Sequence, residues 1–211
     1  MAEILLIRHG ETEWNRREVF RGRADVPLSA RGREQARLLG EALKGSGAQA
    51  VYSSPLSRAR QTARPLAEAL GIEVQTDERL VDMSFGRWES RPRAEVEKEN
   101  PALYRGWLTE PQEFRAPDGE SLADVIARAW PAMGQITARH RGGRAAIVTH
   151  RVVCKVLLCS ALGAGEAAFW RVRVDTASIS ILDASDDLWV VTRLNDTHHL
   201  HAIGEEDRSD F

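Results

Sequence analysis

The stretch Ile4-Leu5-Leu6-Ile7-Arg8-His9-Gly10-Glu11-Thr12 decides the fold. Four apolar residues in unbroken succession begin almost at the N-terminus and stop abruptly at Arg8-His9-Gly10. A half-exposed strand would alternate apolar with polar, so this run reads as a strand buried on both faces, as in a parallel sheet covered by helices. Sheets of that kind take ligands at the carboxyl ends of their strands. Arg8 and His9 stand at that end.

Working outward, Ser29 reads as the N-cap of a helix near 30–44 that Gly45 and Gly47 end. Ala50-Val51-Tyr52 is a second short strand, broken by Ser53-Ser54-Pro55. A helical pattern follows over 56–70, closed by Gly71, with Pro65 inside it as a kink or a split. From 77 to 119 the chain carries Pro92, Pro101, Pro111 and Pro117, which cut it into short helices and loops. That segment, from about 82 to 119, is expected to pass over the mouth of the sheet as a small cap. A helix is expected from Glu120 to His140, with Pro131 as a kink or a restart. Arg144 to Thr149 is a third buried strand that stops at His150, and a helix follows over 151–161. Ile179–Leu182 and Leu188–Val191, on either side of Asp183 to Asp187, read as an antiparallel pair. The expected fold is α/β: one three-layer sandwich, a mostly parallel central sheet with helices on both faces and a small cap. One domain over 1–204 and an acidic tail over 205–211 account for the chain.

Composition bounds the function. The chain has 211 residues, 43% hydrophobic and 28% charged, which suits an ordinary globular protein. Twenty-nine Lys plus Arg against 31 Asp plus Glu give a net charge of -2, so a chain built to coat nucleic acid is excluded, although a local basic pocket is not. The longest apolar runs fall far short of a membrane span, and the N-terminus lacks the basic start of a signal peptide. Cys154 and Cys159, five apart in an apolar stretch, read as buried thiols of a reducing compartment. No metal-type Cys/His spacing occurs, so neither a metal nor a cofactor is expected. These points together predict a cytoplasmic protein without a membrane or nucleic-acid partner. Its late strands could pair across a homodimer.

Two buried strands end in His9 and His150. Either imidazole alone could merely be satisfied at a strand end, but two after similar strands point to one shared cleft. Gly10 lets backbone approach a ligand closely, Arg8 brings five donors and Asn15 an amide. Arg58 stands near the first turn of its helix, where a positive charge is misplaced unless an anion sits there; a solvated surface arginine is the competing reading. Two histidines and at least two arginines make a phosphate site.

Several motifs carry a resemblance. They are LIRHGETEWN at Leu6 to Asn15, FRGRADVPLSARGREQA at Phe20 to Ala36 and SSPLSRARQTA at Ser53 to Ala63. RLVDMSFGRWES at Arg79 to Ser90, DGES at Asp118 to Ser121 and IVTH at Ile147 to His150 follow in order. The chain resembles the histidine phosphatase superfamily, phosphoglycerate-mutase-like branch, over about its whole length. The resemblance implies that His9 is the nucleophile that becomes phosphohistidine and that Arg8 and Arg58 clamp the phosphoryl group. It further implies that His150 is a phosphate ligand and electrostatic stabiliser, and that Asn15, Arg21 and Gly22 contact substrate. Asp82 falls where the family mostly carries a proton-donating Glu. Glu89 and Glu120 are its rivals, Glu89 read as structure or lip and Glu120 as a helix cap or as the anchor of an arginine of the clamp.

The implied activity is metal-independent hydrolysis of a small phosphorylated metabolite (EC 3.1.3.-). The alternatives are a cofactor-dependent phosphoglycerate-type mutase and a non-catalytic phosphate-binding protein. The mutases usually carry a longer insert after the acid-bearing segment, with a tyrosine and basic residues; here that segment is short and Tyr104 has only Arg105 beside it. Arg151 stands where relatives often have Gly, either as a solvated helix-start arginine or as an extra donor over a more anionic substrate, and Arg21 stands where they often have Gln or Thr; both join the expected substrate contacts. Trp88, Trp107, Phe114 and Trp170 could cap an organic leaving group or belong to the core, and core is the preferred reading of Trp170.

Overall fold

The computed structural model describes residues 1–185 and 188–204. Six strands form one sheet: β1 (Ala2–Arg8), β2 (Ala50–Ser53), β3 (Val74–Thr76), β4 (Arg144–Thr149), β5 (Ile179–Ala184) and β6 (Trp189–Asp196), in the order β3-β2-β4-β1-β5-β6. β1, β2, β3 and β4 run parallel, while β5 and β6 are antiparallel to their neighbours. The sheet is thus mostly parallel, as the apolar runs predict. The carboxyl ends of β1 and β4 lie side by side, with Arg8 opposite Thr149.

The unbroken apolar run of β1 serves two cores. Ile4 and Leu6, with Ala145 and Ile147 of β4, face one side and pack with α6 (Leu122–Arg139) and α7 (Arg151–Ala161). Leu5 and Ile7, with Ala146 and Val148, face the other and pack with α2 (Ala30–Leu43) and α3 (Ser57–Leu70). Successive strand residues point to opposite faces, so a strand between two helical layers must be apolar at every position.

The helix ends follow their capping chemistry. Ser29 accepts from Gly32 N at the start of α2, and Gly71 closes α3 in the left-handed conformation. Neither Pro65 nor Pro131 ends its helix. α6 begins at Leu122, with Ser121 as its cap and Asp124 completing a capping box, so Glu120 is not the cap. β3 was not foreseen: its three residues are ordered by pairing with β2, and Gln75 and Thr76 are exposed.

The segment expected as a cap contains α4 (Arg93–Glu99) and α5 (Pro101–Thr109), besides a short helix α1 (Glu13–Arg16) earlier in the chain. Its aromatic residues are core. Trp88, Trp107 and Phe114 are buried, with ring centroids 4.9 to 5.1 Å apart along Trp88–Phe114–Trp107, and Tyr104 packs on Trp88. Trp170 is partly buried against Trp107 and donates its indole N–H to the Trp107 carbonyl. Cys154 and Cys159 are buried and free. Among the described residues no helix is long and apolar enough to cross a membrane. The tail over 205–211 and positions 186–187 of the β5–β6 turn lie outside the described residues.

Candidate active site

His9 follows β1 and His150 follows β4. Because those strands are adjacent and in register, the imidazoles meet at the carboxyl edge of the sheet, with ring centroids 5.2 Å apart. His9 N donates to the Thr149 carbonyl at 2.9 Å, which extends the ladder by one residue. His9 Nδ1 lies 2.7 Å from the Gly10 carbonyl oxygen. A carbonyl can only accept, so Nδ1 carries the hydrogen and Nε2 the lone pair. Gly10 N in turn donates to Thr62 Oγ1, whose hydroxyl donates to the Arg58 carbonyl in α3.

The Gly10 loop sits where it does because Gly32, in the first turn of α2, has no side chain. A Cβ on Gly32 would lie 2.0 Å from the Glu11 carbonyl oxygen, and one on Gly10 would lie 2.7 Å from the Gly32 carbonyl oxygen. Two backbones meet there with no room for a methyl group. Ser29 Oγ donates to Glu11 Oε1 at 2.5 Å, and Glu11 N donates to Gln35, fixing the same junction.

Both arginines of the expected clamp are at the site and fully buried. Arg8 Nη1 donates to the Val174 carbonyl at 2.7 Å. Arg58 Nη1 donates to the Ala24 carbonyl, and Nη2 donates to the Gly22 carbonyl and to Asp82 Oδ2 at 3.0 Å. The sequence reading placed an anion near this helix start. The structure supplies two carboxylates: Asp25, which accepts from Ser57 N and Oγ, and Asp82. Arg58 is therefore not a solvated arginine, whereas Arg60 is exposed. Gly22 has φ +49, and a Cβ there would strike Glu89, so the turn that presents its carbonyl to Arg58 needs glycine.

Asp82 reaches the histidines. Its Oδ2 lies 3.6 Å from His150 Nδ1, and its Oδ1 accepts from Met83 N. His150 Nε2 is 2.7 Å from Ser54 Oγ, which itself accepts from Leu56 N. His150 thus has its Nε2 on the Ser54 hydroxyl and its Nδ1 toward the Asp82 carboxylate. The rivals sit elsewhere. Glu89 accepts from Phe85 N and Ser84 Oγ, and Glu120 from Ser84 N, Arg23 and Arg128. Arg128 is a residue the sequence reading missed. It donates to the carbonyls of Arg79, Val81 and Asp82, and so holds the loop that carries the carboxylate. Ser54 was missed too, read only as part of a strand break.

Asn15 lies at the third position of α1, with its side-chain oxygen accepting from Thr12 N and Oγ1. Arg21, Gly22, Asp82 and Arg151 line one narrow cleft, walled also by Val19, Phe20, Phe85 and Val152. His9, His150, Arg58 and Asp82 meet at the carboxyl edge of the sheet, Arg8 ends β1 there, and Arg21, Gly22 and Arg151 share a cleft with Asp82, while Asn15 stands in α1 bonded to Thr12.

Electrostatics sets the protonation states. Burial, then Arg58, the facing His150, Arg8 and Arg21, hold the His9 imidazole well below its usual pKa. Burial, then Arg58, Arg21, Arg128 and Arg8, do the same to His150. Burial also lowers the Arg58 guanidinium, against the opposing pull of Asp82. His9 therefore presents a neutral Nε2 lone pair amid positive charge, as an anionic electrophile requires. Arg58 Nε is buried at this site without a hydrogen-bond partner. Buried polar groups are normally satisfied, so this unmet charged donor in a positive cleft marks a place for an anion. Among the described residues no cluster of side chains could hold a metal ion.

The model of the Histidine phosphatase superfamily (branch 1) matches residues 4–197. Phosphoserine phosphatase 1 of Hydrogenobacter thermophilus is 34% identical over 200 residues, 95% of each chain. The probable phosphoglycerate mutase GpmB of Salmonella arizonae is 32% identical over 207 residues, 96% of each. The solved structure of Bacillus stearothermophilus YhfR superposes with a TM-score of 0.91 at 30% identity, covering 95% of this chain and 100% of that one.

Proposed function

Because the chain belongs to the histidine phosphatase superfamily, branch 1, we propose that it is a phosphomonoesterase of small metabolites and that His9 carries the phosphoryl group. The observation that supports this most is the neutral Nε2 of His9, its hydrogen fixed on Nδ1 by the Gly10 carbonyl, beside two buried arginines. Nε2 attacks phosphorus in line with the ester oxygen. The N–P bond forms, the P–O bond to the alcohol breaks, and Asp82 gives a proton to the departing oxygen. Arg8, Arg58 and His150 stabilise the charge on the phosphoryl oxygens. Water then attacks the phosphorus, its proton goes to Asp82, and the N–P bond breaks to release inorganic phosphate. Asn15, Arg21, Gly22 and Arg151 hold the substrate. The arginines supply the positive charge this reaction needs, so the reading includes no metal and no cofactor. We place the reaction in the cytoplasm, where phosphorylated metabolites are kept and the buried thiols stay reduced.

Brief mixing with a phosphomonoester labelled on phosphorus tests the reading. Label should appear on His9, acid-labile and base-stable, and His9→Ala should abolish both label and turnover. EDTA should leave activity intact. Label on serine or aspartate, or full turnover by His9→Ala, overturns the mechanism.

The second reading, a mutase, has support in the relatives named probable phosphoglycerate mutases. Tyr104 speaks against it, because that side chain is buried in the core against Trp88 and is not at the cleft.

A further inference from the structure

Arg8 is held at the site by a loop, 174–178, to which the mechanism gives no part. Its Nη1 donates to the Val174 carbonyl at 2.7 Å, and its backbone N donates to the Ser178 carbonyl at 3.3 Å. Ala177, at φ +54, donates its N–H to the His9 carbonyl at 3.2 Å. The loop therefore touches both the expected nucleophile and one arginine of its clamp. On one side Gln35 Nε2 donates to Thr176 Oγ1, which ties the loop to α2. Another tie comes from β6.

Asn195 of β6 bonds Asp175 twice. Its Oδ1 accepts from Asp175 N at 2.6 Å, and its Nδ2 donates to Asp175 Oδ2 at 2.8 Å. The Val174 carbonyl and Asp175 N belong to one planar peptide unit. Asn195 fixes the N–H edge of that unit, and the C=O edge meets Arg8 Nη1. A bond on one edge thus sets the direction of the other. An N–H that is already bonded also makes its carbonyl a stronger acceptor.

The backbone of β6 is bent to deliver this side chain. Ile181 pairs with Arg193 and Ile179 with Asp196, so Leu194 and Asn195 stand opposite Ser180 alone. In this bulge Asn195 takes φ +54, and its N donates to Ser180 Oγ at 3.1 Å. Bulges beside active sites re-aim a side chain. Glycine would take the same conformation with less strain, but it would lack the amide. Asparagine is one of the few other residues that tolerate it.

Resting on the phosphatase reading, we infer that Asn195 is a positioning residue for the reaction: through the peptide between Val174 and Asp175 it aims the Arg8 guanidinium at the phosphoryl group.

Asn195→Gly keeps the bulge and removes both bonds to Asp175. It should lower kcat/KM for p-nitrophenyl phosphate by about tenfold or more and weaken the Kd for inorganic phosphate by a similar factor. Asn195→Asp sets a carboxylate against that of Asp175 and should lose as much. Adding Asp175→Asn to it restores a donor opposite an acceptor, and most of the loss should be recovered. The exposed pair of Arg173 with Asp175 that this sacrifices contributes little. Arg193→Gln, an exposed change two residues earlier on β6, should alter neither constant.

A role in stability alone would leave Arg8 where it is. The NMR signal of the Arg8 Nη1 hydrogens should therefore be lost in Asn195→Gly and return in the swapped pair. Parent-like constants in Asn195→Gly overturn the inference. So does a loss that comes with an unchanged Arg8 signal, or one that the swapped pair fails to recover. If Asn195→Gly does not fold, Asn195→Asp with and without Asp175→Asn carries the same test. If the parent protein hydrolyses no ester, the phosphatase reading falls, while the Arg8 signal and the Kd for inorganic phosphate still decide the part of Asn195.

Discussion

Asp82 Oδ2 is held 3.0 Å from Arg58 Nη2, an ion pair that no solvent reaches on the arginine side. The same arginine is expected to hold the phosphoryl group. A phosphoryl group arriving beside Arg58 therefore lies next to Asp82, so substrate binding and the proposed acid share one guanidinium. Asp82→Asn keeps the shape and removes the transferable proton. It should slow hydrolysis of alkyl phosphates by roughly 10²-fold or more. Phosphorylation of His9 by p-nitrophenyl phosphate, whose leaving group needs little protonation, should be much less affected. Rapid-quench rates for the two esters check this. A collapse of activity in Glu89→Gln or Glu120→Gln with Asp82→Asn unharmed would move the acid elsewhere.

The two buried histidines make stability depend on pH in a stated direction. In the unfolded chain each imidazole titrates near its ordinary value of about 6.5. In the folded chain burial and the surrounding arginines hold both well below that. Between those two limits the unfolded state binds protons that the native state refuses, so stability falls as pH drops below about 6.5 and is fully present above it. The slope is on the order of 1.4 kcal/mol per pH unit for each histidine. Urea midpoints at pH 7.5, 6.5 and 5.5 should decline, and His9→Asn should flatten the decline by about one proton. A midpoint unchanged over this range would mean that the imidazoles are not held neutral.

Gly32 and Glu11 are in backbone contact, and that contact sets the height of the His9 loop. Gly32→Ala puts a methyl group 2.0 Å from the Glu11 carbonyl oxygen, so backbone must move. Overpacking of this kind costs about 1–3 kcal/mol. The displaced loop carries the nucleophile, and a shift of about 1 Å can cost about 10²-fold in rate. Gly134→Ala in α6, where an added Cβ meets nothing within 4 Å, should instead be neutral or stabilise by about 0.5–1 kcal/mol. Urea unfolding and kcat on both variants check the contrast. Equal behaviour of the two would remove the packing argument.

What could be read from the sequence was what local pattern determines. The apolar runs of β1 and β4 named buried strands because a strand between two helical layers needs an apolar side chain at every position. Ser29 and Gly71 named helix ends because each satisfies orphaned backbone groups in its own way. His9 and His150 were legible as a pair because each follows such a strand. Arg128 was not legible: on a helix it looks like any solvated arginine, and its partners, the carbonyls of Arg79, Val81 and Asp82, are 46 to 49 residues away. β3 was hidden for the same reason, since Val74-Gln75-Thr76 carries no pattern of its own and becomes a strand only by pairing with β2. Trp88, Trp107 and Phe114 could not be sorted between cap and core until their mutual packing was seen. Glu120 was misjudged as a possible cap because Ser121, one residue on, does that work while Glu120 turns to Arg23 and Arg128.

The phosphoenzyme expected at His9 could pass its phosphoryl group to water or to a second hydroxyl, and the two fates separate a phosphatase from a mutase. A mutase must keep water out while one alcohol leaves and another enters, which calls for closure over the substrate. Here the segment after Asp82 is committed to the core through Trp88, Tyr104, Trp107 and Phe114, all buried. Tyr104 cannot reach a three-carbon acid without leaving that core. We therefore expect net release of inorganic phosphate from 3-phosphoglycerate and negligible formation of 2-phosphoglycerate, with or without 2,3-bisphosphoglycerate. Both products should be followed in one reaction. Isomerisation that outruns hydrolysis, and rises with the bisphosphate, would overturn the phosphatase reading. It would also show that exclusion of water at this site does not depend on a closing segment.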